Sequence, residues 1–205
     1  MTLITGHRGA RNLWPENSLQ GFRNVLELGV DAVEFDVHVT DAGELLVIHD
    51  ATLERTTDGH GAVRALTPEA RMNVRLRDSN ETIPTLSEVL SVLAAADGLP
   101  LHVELKSDDT GTPYPGIIEK VAAELVANGL ANRSYLTSFD VSVLKGCPGI
   151  APDIARLVSV NAAWAERQGG LKHFFEQDEG LVEIVAIHHE LMETEWDLIT
   201  SLLPL

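Results

Sequence analysis

A single cysteine, Cys147, stands among 205 residues. That excludes an intramolecular disulfide and any cysteine-based zinc cluster. Cys147 falls in Gly-Cys-Pro-Gly with no paired base, so it reads as a loop thiol without a nucleophilic role. Basic residues are also scarce, 15 Lys and Arg against 31 Asp and Glu, for a formal net charge of −16. Such a surface repels nucleic acid and anionic membranes at long range, yet leaves room for one small phosphate in a locally basic pocket. No apolar run approaches the length of a membrane span. Aromatics make up only 5%. The Gly-rich dinucleotide fingerprint is absent, which argues against an open doubly wound sheet. No charged leader region or cleavage pattern precedes the first strand, so the expected location is cytoplasmic. The remaining composition, 44% hydrophobic and 22% charged, is ordinary for a globular protein. The length suits one domain over residues 1–205.

Against this background one run stands out. Residues 33–38, Val-Glu-Phe-Asp-Val-His, read as a buried strand that carries two carboxylates. Residues two apart share a strand face, so Glu34 and Asp36 project together while Val33, Phe35 and Val37 project the other way. Two buried anions repel and resist desolvation unless a positive charge sits between them. A hard divalent cation is the simplest candidate. Leu101 to Lys106 repeats the pattern, with Glu104 and Lys106 on one face. His7 and His49 each close an apolar strand. His38 shares the face of Asp36 and reads as a supporting or rim residue. His60 reads as solvated, His102 as remote from the rim, and His188 and His189 as mainly structural. Trp14 is a candidate pocket wall, and Trp164 and Trp196 read as helix packing.

Strands are expected at about 2–7, 32–38, 45–49, 100–106, 134–139, 155–160 and 182–188. Helices are expected over 18–28, near 67–69, and over 86–96, 116–128, 162–176 and 194–203. Asn17 or Ser18 caps the first of these and Gly29 stops it. Residues 50–82 read mostly as loop. The turn Asp41-Ala-Gly43 leaves no room for a helix between strands two and three, a break in the strand–helix alternation. That alternation otherwise calls for a parallel sheet covered by helices. Ionisable residues at the carboxyl ends of the strands suit a TIM-type (β/α)₈ barrel, whose active site lies at that rim. Seven strands are visible and an eighth is not.

His7-Arg-Gly9, Pro15-Glu-Asn-Ser18, Glu34-Phe-Asp36, His49-Asp50, Arg55-Thr-Thr57, Gly59-His-Gly61 and Glu104-Leu-Lys106 together resemble the glycerophosphodiester phosphodiesterases. Ile83-Pro-Thr-Leu86 and Ser138-Phe139 extend the likeness, which covers residues 3 to about 140. The resemblance implies a (β/α)₈ barrel that hydrolyses glycerophosphodiesters to glycerol 3-phosphate and an alcohol. It implies one divalent cation, Mg²⁺ or Ca²⁺, held by Glu34, Asp36 and Glu104. His7 and His49 become the acid–base pair, Arg8 and Lys106 the phosphate-binding cations, and Glu16 and Asn17 supports. It further implies attack by the substrate's own 2-hydroxyl before water opens a cyclic phosphate. The short, polar 50–82 segment favours a small soluble substrate. The alternatives are a lysophospholipase D-like activity on the same scaffold and a weakly active phosphodiester-binding barrel.

Overall fold

A computed structural model describes residues 2–202. In chain order the elements are β1 (Thr5–His7), α1 (Leu19–Glu27), β2 (Ala32–Val39), β3 (Leu45–Val47), α2 (Pro68–Arg71), α3 (Leu86–Leu93), β4 (Leu101–Leu105) and α4 (Ile117–Ala127). There follow β5 (Ser134–Ser138), α5 (Val141–Ile150), β6 (Ala155–Val160), α6 (Ala162–Arg167), α7 (Leu171–Gln177), β7 (Ile184–Ile187), α8 (His189–Thr194) and α9 (Trp196–Leu202). The sheet order is β1-β2-β4-β5-β6-β7, parallel throughout, and β3 pairs antiparallel with the end of β2. The result is a partial TIM-type barrel: six parallel staves curve round, and β1 and β7 are not paired with each other among the described residues.

The count of staves corrects the sequence reading. β3 is not a barrel strand. Gly43, at φ 90°, turns the chain straight back, so Leu45 lies opposite Val39 and Val47 opposite Val37. Residues 50–83 are likewise more than loop. Leu46, Ile48, Leu53, Val63, Leu66, Leu76 and Ile83 form a small core of their own beside the rim.

Strand parity decides where the main core sits. Val33, Phe35, Val37, Leu101, Val103, Leu105 and Leu136 face outward and pack with Phe22 and Val25 of α1 and with Leu86, Val89, Leu90 and Leu93 of α3. Two caps set the entry of these helices. The Ser18 side chain accepts from the Gly21 N–H, and Thr85 with Glu88 forms a reciprocal capping box. Each such cap contributes about 1 kcal/mol. A second cluster, around Trp164, Phe174 and Leu191, lies under β6 and β7.

Several helix boundaries depart from expectation. Residues 141–150 form α5, so Cys147 is in a buried helical turn rather than a loop, and its Sγ donates to the Val143 carbonyl at 3.4 Å. Asp140 caps this helix, and Pro148 sits inside it. The run expected over 162–176 breaks at Gly169 and Gly170, both at positive φ. The last helical region starts earlier, at His189, and Leu203 of the expected 194–203 helix lies outside the described residues. Trp196 is 56% exposed and does not pack as expected, whereas Trp164 is buried edge-on against Phe174. None of the described helices is long and apolar enough to cross a membrane.

Candidate active site

The inward face of the sheet carries the polar residues in two rows. His7, Glu34, His102 and Tyr135 are in register across β1, β2, β4 and β5. Asp36, Glu104 and Thr137 form the next row toward the carboxyl rim. Glu34, Asp36 and Glu104 are all buried, and each places an oxygen within 4.8 Å of the others. At an effective dielectric near 20, charges that close repel by at least about 3 kcal/mol per pair.

Two cations oppose this repulsion and do not cancel it. Lys106 Nζ lies 2.8 Å from Glu104 Oε1 and 3.4 Å from Asp36 Oδ1. Arg8 Nε lies 3.4 Å from Asp36 Oδ2, but its Nη1 donates to Glu16 at 3.2 Å, so its charge is shared. The imbalance displaces the three carboxyl pKa values in different directions. Burial, then Asp36 and Glu104, hold Glu34 well above the usual carboxylate range. Burial also raises Glu104. Asp36 is fully buried, yet Lys106, His49 and Arg8 keep it below its ordinary value. Glu34 Oε1 and Asp36 Oδ1 are buried without a hydrogen-bond partner among the described residues. Carboxylate oxygens in a tight group, two of them without a hydrogen-bond donor, fit one hard divalent cation.

The loop between β1 and α1 holds the next groups in place. Arg8, Ala10 and Asn17 all adopt positive φ, at 55°, 65° and 56°. That conformation costs a side-chain-bearing residue about 1 kcal/mol or more, so the loop is fixed by other bonds. The Arg8 N–H donates to the Glu34 carbonyl at 2.9 Å, and the Asn17 N–H donates to the Arg8 carbonyl at 2.9 Å. Asn17 Nδ2 then donates to Asp36 Oδ2 at 2.9 Å. Gly9 suits this turn, because at φ 70° a Cβ would crowd Gly21 and Phe22 of α1 at 3.2 Å.

Both expected histidines reach this rim. His7 Nε2 is 3.5 Å from Glu34 Oε2, and burial, then Arg8, lower its pKa to about 4. His49 follows β3, and its Nδ1 contacts Asp50 Oδ1 at 2.6 Å. A contact that short to a carboxylate assigns the proton to Nδ1 and leaves Nε2 as the free nitrogen. Burial raises the Asp50 pKa, but hydrogen bonds from Arg55 and His49 outweigh it and bring the value to about 2. Asp50 therefore stays an anion through the neutral range.

His38 is a support. Its Nε2 lies 3.1 Å from the His49 carbonyl and its Nδ1 2.9 Å from the Tyr114 hydroxyl. The carbonyl only accepts, so Nε2 carries the proton and Nδ1 accepts from Tyr114. Burial first of all lowers its pKa to about 4. His102 packs edge-on against Tyr135 in the deeper row and does not line the cleft described next. His188 caps α8 beside His189, and neither lines the cleft described next. A cleft of 510 Å³ runs past His49, Glu104 and Lys106 toward Ser138, Phe139 and Arg167. Trp14 lines a neighbouring cavity with Arg11 and Arg55. A larger cavity, about 820 Å³, lies elsewhere, between α7, β7 and α9, and is lined by none of these groups. Sequence reasoning gave no role to Asp50 or Arg55. The pairing of His49 with its chain neighbour was the available signal.

The model of the glycerophosphoryl diester phosphodiesterase family matches residues 7–202. The chain belongs to that family. A glycerophosphodiester phosphodiesterase of Caldanaerobacter subterraneus is 36% identical over 159 residues, 75% of this chain and 64% of that protein. One from Bacillus altitudinis is 36% identical over 68% of this chain and 58% of its own length. The chain thus spans about three-fifths of these curated relatives. In fold it is similar to an Agrobacterium tumefaciens protein assigned to the same family, with a TM-score of 0.86 at 24% identity, covering 96% of this chain and 81% of that one. A phosphodiesterase of Oleispira antarctica, solved with its product sn-glycerol-3-phosphate, matches at a TM-score of 0.73 and 26% identity. That match covers 98% of this chain and 81% of the other.

Proposed function

We propose that this chain hydrolyses glycerophosphodiesters to glycerol 3-phosphate and an alcohol. The observation that carries the reading is the buried Glu34, Asp36 and Glu104 cluster with His7, Arg8, His49 and Lys106 on the same rim. Family membership and the glycerol 3-phosphate bound by the Oleispira relative support it. The three carboxylates would hold one divalent cation, Mg²⁺ or Ca²⁺, which supplies positive charge to the diester oxygens.

The chain's own groups do the rest. Arg8 and Lys106 bring further positive charge to the phosphate, Arg8 as a planar fork and Lys106 as a point charge. The attacking hydroxyl must lose a proton and the departing alkoxide must gain one. His7 and His49 divide these transfers. Asp50 fixes the His49 tautomer so that Nε2 faces the reaction. His38 supports His49 from behind through its backbone carbonyl. All seven residues come from β1, β2 and β4 and from the segments that follow β1, β3 and β4. Those three barrel strands are adjacent in the sheet, so the site draws on one contiguous arc of the barrel.

A second reading has one observation in its favour. β1 and β7 do not pair among the described residues, which suits a weakly active barrel that binds phosphodiesters. Turnover of glycerophosphocholine by the purified chain, with Mg²⁺, with Ca²⁺ and with chelator, separates the two. Cation-dependent release of glycerol 3-phosphate is the expected result. Binding without turnover under every condition would favour the second reading.

A further inference from the structure

Arg55 bridges two carboxylates, and each carboxylate holds a group the proposed reaction uses. Arg55 Nη1 donates to Glu16 Oε2 at 3.0 Å and Nη2 to Glu16 Oε1 at 2.7 Å. Its Nε donates to Asp50 Oδ2, and Nη2 also reaches Asp50 Oδ1 at 3.0 Å. The same Glu16 Oε1 also accepts from Arg8 Nη1 at 3.2 Å, the same Asp50 Oδ1 contacts His49 Nδ1 at 2.6 Å, and Arg55 Nη2 lies 3.5 Å from His49 Nδ1. Arg8, Glu16, Arg55 and Asp50 alternate in charge, and His49 ends the chain of contacts. They come from two segments far apart in sequence, the loop after β1 and the segment after β3.

We infer that Arg55 is a positioning residue that sets the spacing between Arg8 and His49. The inference rests on the proposed function for what Arg8 and His49 do. Its geometric part stands on the contacts alone. Among the described residues, loss of Arg55 leaves Glu16 with Arg8 alone to answer it and Asp50 with His49 alone. Both carboxylates are then free to rotate, and they carry Arg8 and the His49 ring with them. A lysine could not replace the arginine, because one ammonium cannot present flat bidentate edges to two carboxylates at once. The Arg55 side chain is 49% exposed, and exposed ion pairs add little to stability. Its loss should therefore leave the fold intact, which separates positioning from folding.

The test compares wild type with Arg55→Gln and Arg55→Lys by imidazole ¹⁵N NMR of His49, by urea unfolding and by steady-state kinetics on glycerophosphocholine. Both variants should unfold near the wild-type midpoint. The His49 Nδ1 resonance should move in both, as its carboxylate partner loosens. Catalytic efficiency should fall roughly 10–100-fold, the range for groups that orient a functional ligand without touching substrate. The loss should appear in KM through Arg8 and in kcat through His49. Arg55→Gln combined with Asp50→Asn should show a kcat close to that of the worse single variant, because both act on His49. An unchanged His49 resonance in Arg55→Gln overturns the inference, whatever the activity. If the resonance moves but wild type is inactive on every diester, the positioning role stands and the proposed function falls.

Discussion

The two ends of the sheet put different residues on the same inward row. At the β2 end, Asp36 and Glu104 stand side by side, and all eight residues of β2 are buried. Followed through the register, the row becomes Thr137, then Leu157, then Ile184 of β7, which is 36% exposed. The difference teaches what the chemistry demands of the fold. A tight group of carboxylates is useful only where water is excluded and other groups hold it. β2 has β1, β3 and β4 as partners, and a loop with three residues at costly φ values is tied down over it. The β7 end carries no proposed site residue, and its inward face has no such cover.

Changes at the charged end test that contrast most severely. His7→Ala and His49→Ala should each lower turnover by about 10²–10⁴-fold, and the double variant should lose less than the product of the two. A nitrophenyl ester, whose leaving group needs little protonation, should restore the variant that lacks the general acid. Near wild-type turnover of both variants on the natural diester would break the assignment. Arg8→Lys keeps the charge and removes the fork, and it should cost about 10–100-fold in kcat/KM with the fold unchanged. Kinetics equal to wild type would make Arg8 a structural partner of Glu16.

Stability should follow the same divide. Phe22 is fully buried against Phe35 behind β2, and Phe22→Ala should destabilise by about 3–5 kcal/mol. Ile184→Ala at the open end should cost about 1 kcal/mol or less. Equal losses in urea unfolding would mean that the two ends are equally well packed.

The smallest expected effect is on acid stability. The folded-state pKa of Asp50, about 2, lies below its ordinary 3.8. Its contribution is therefore present above pH 3.8 and is lost as pH falls toward 2. Asp50→Asn should be slightly less stable than wild type at neutral pH, and the gap should close in acid. A gap that widened in acid would contradict the ion-pair account.

Strand parity made much of this site legible in the sequence. Period two alone put Glu34 with Asp36 and Glu104 with Lys106, and Ser18, one of two candidate caps, bounded the first helix that packs behind them. What stayed hidden depended on contacts between distant segments. His38 could be placed on the Asp36 face, but its partner Tyr114 is 76 residues away. The Arg55 bridge spans 39 residues to Glu16, and no local pattern announces it. Local signals also misled. Gly-Cys-Pro-Gly contains the residues of a turn, yet it lies in α5, where Asp140 caps the start and Val143, Leu144 and Cys147 are buried. The hairpin at β3 was visible only as a link too short for a helix.

The central claim is that the inward face of β2 and β4 holds one divalent cation, and calorimetric titration tests it most directly. Mg²⁺ and Ca²⁺ are titrated into the wild-type chain and into Glu34→Gln. The account predicts a single site in wild type for at least one of the two ions. It also predicts a loss of roughly 10–100-fold or more in affinity in the variant, since removing even an outer partner of a metal site has that effect. Wild type that binds neither ion, or a variant that binds as tightly as wild type, would contradict it.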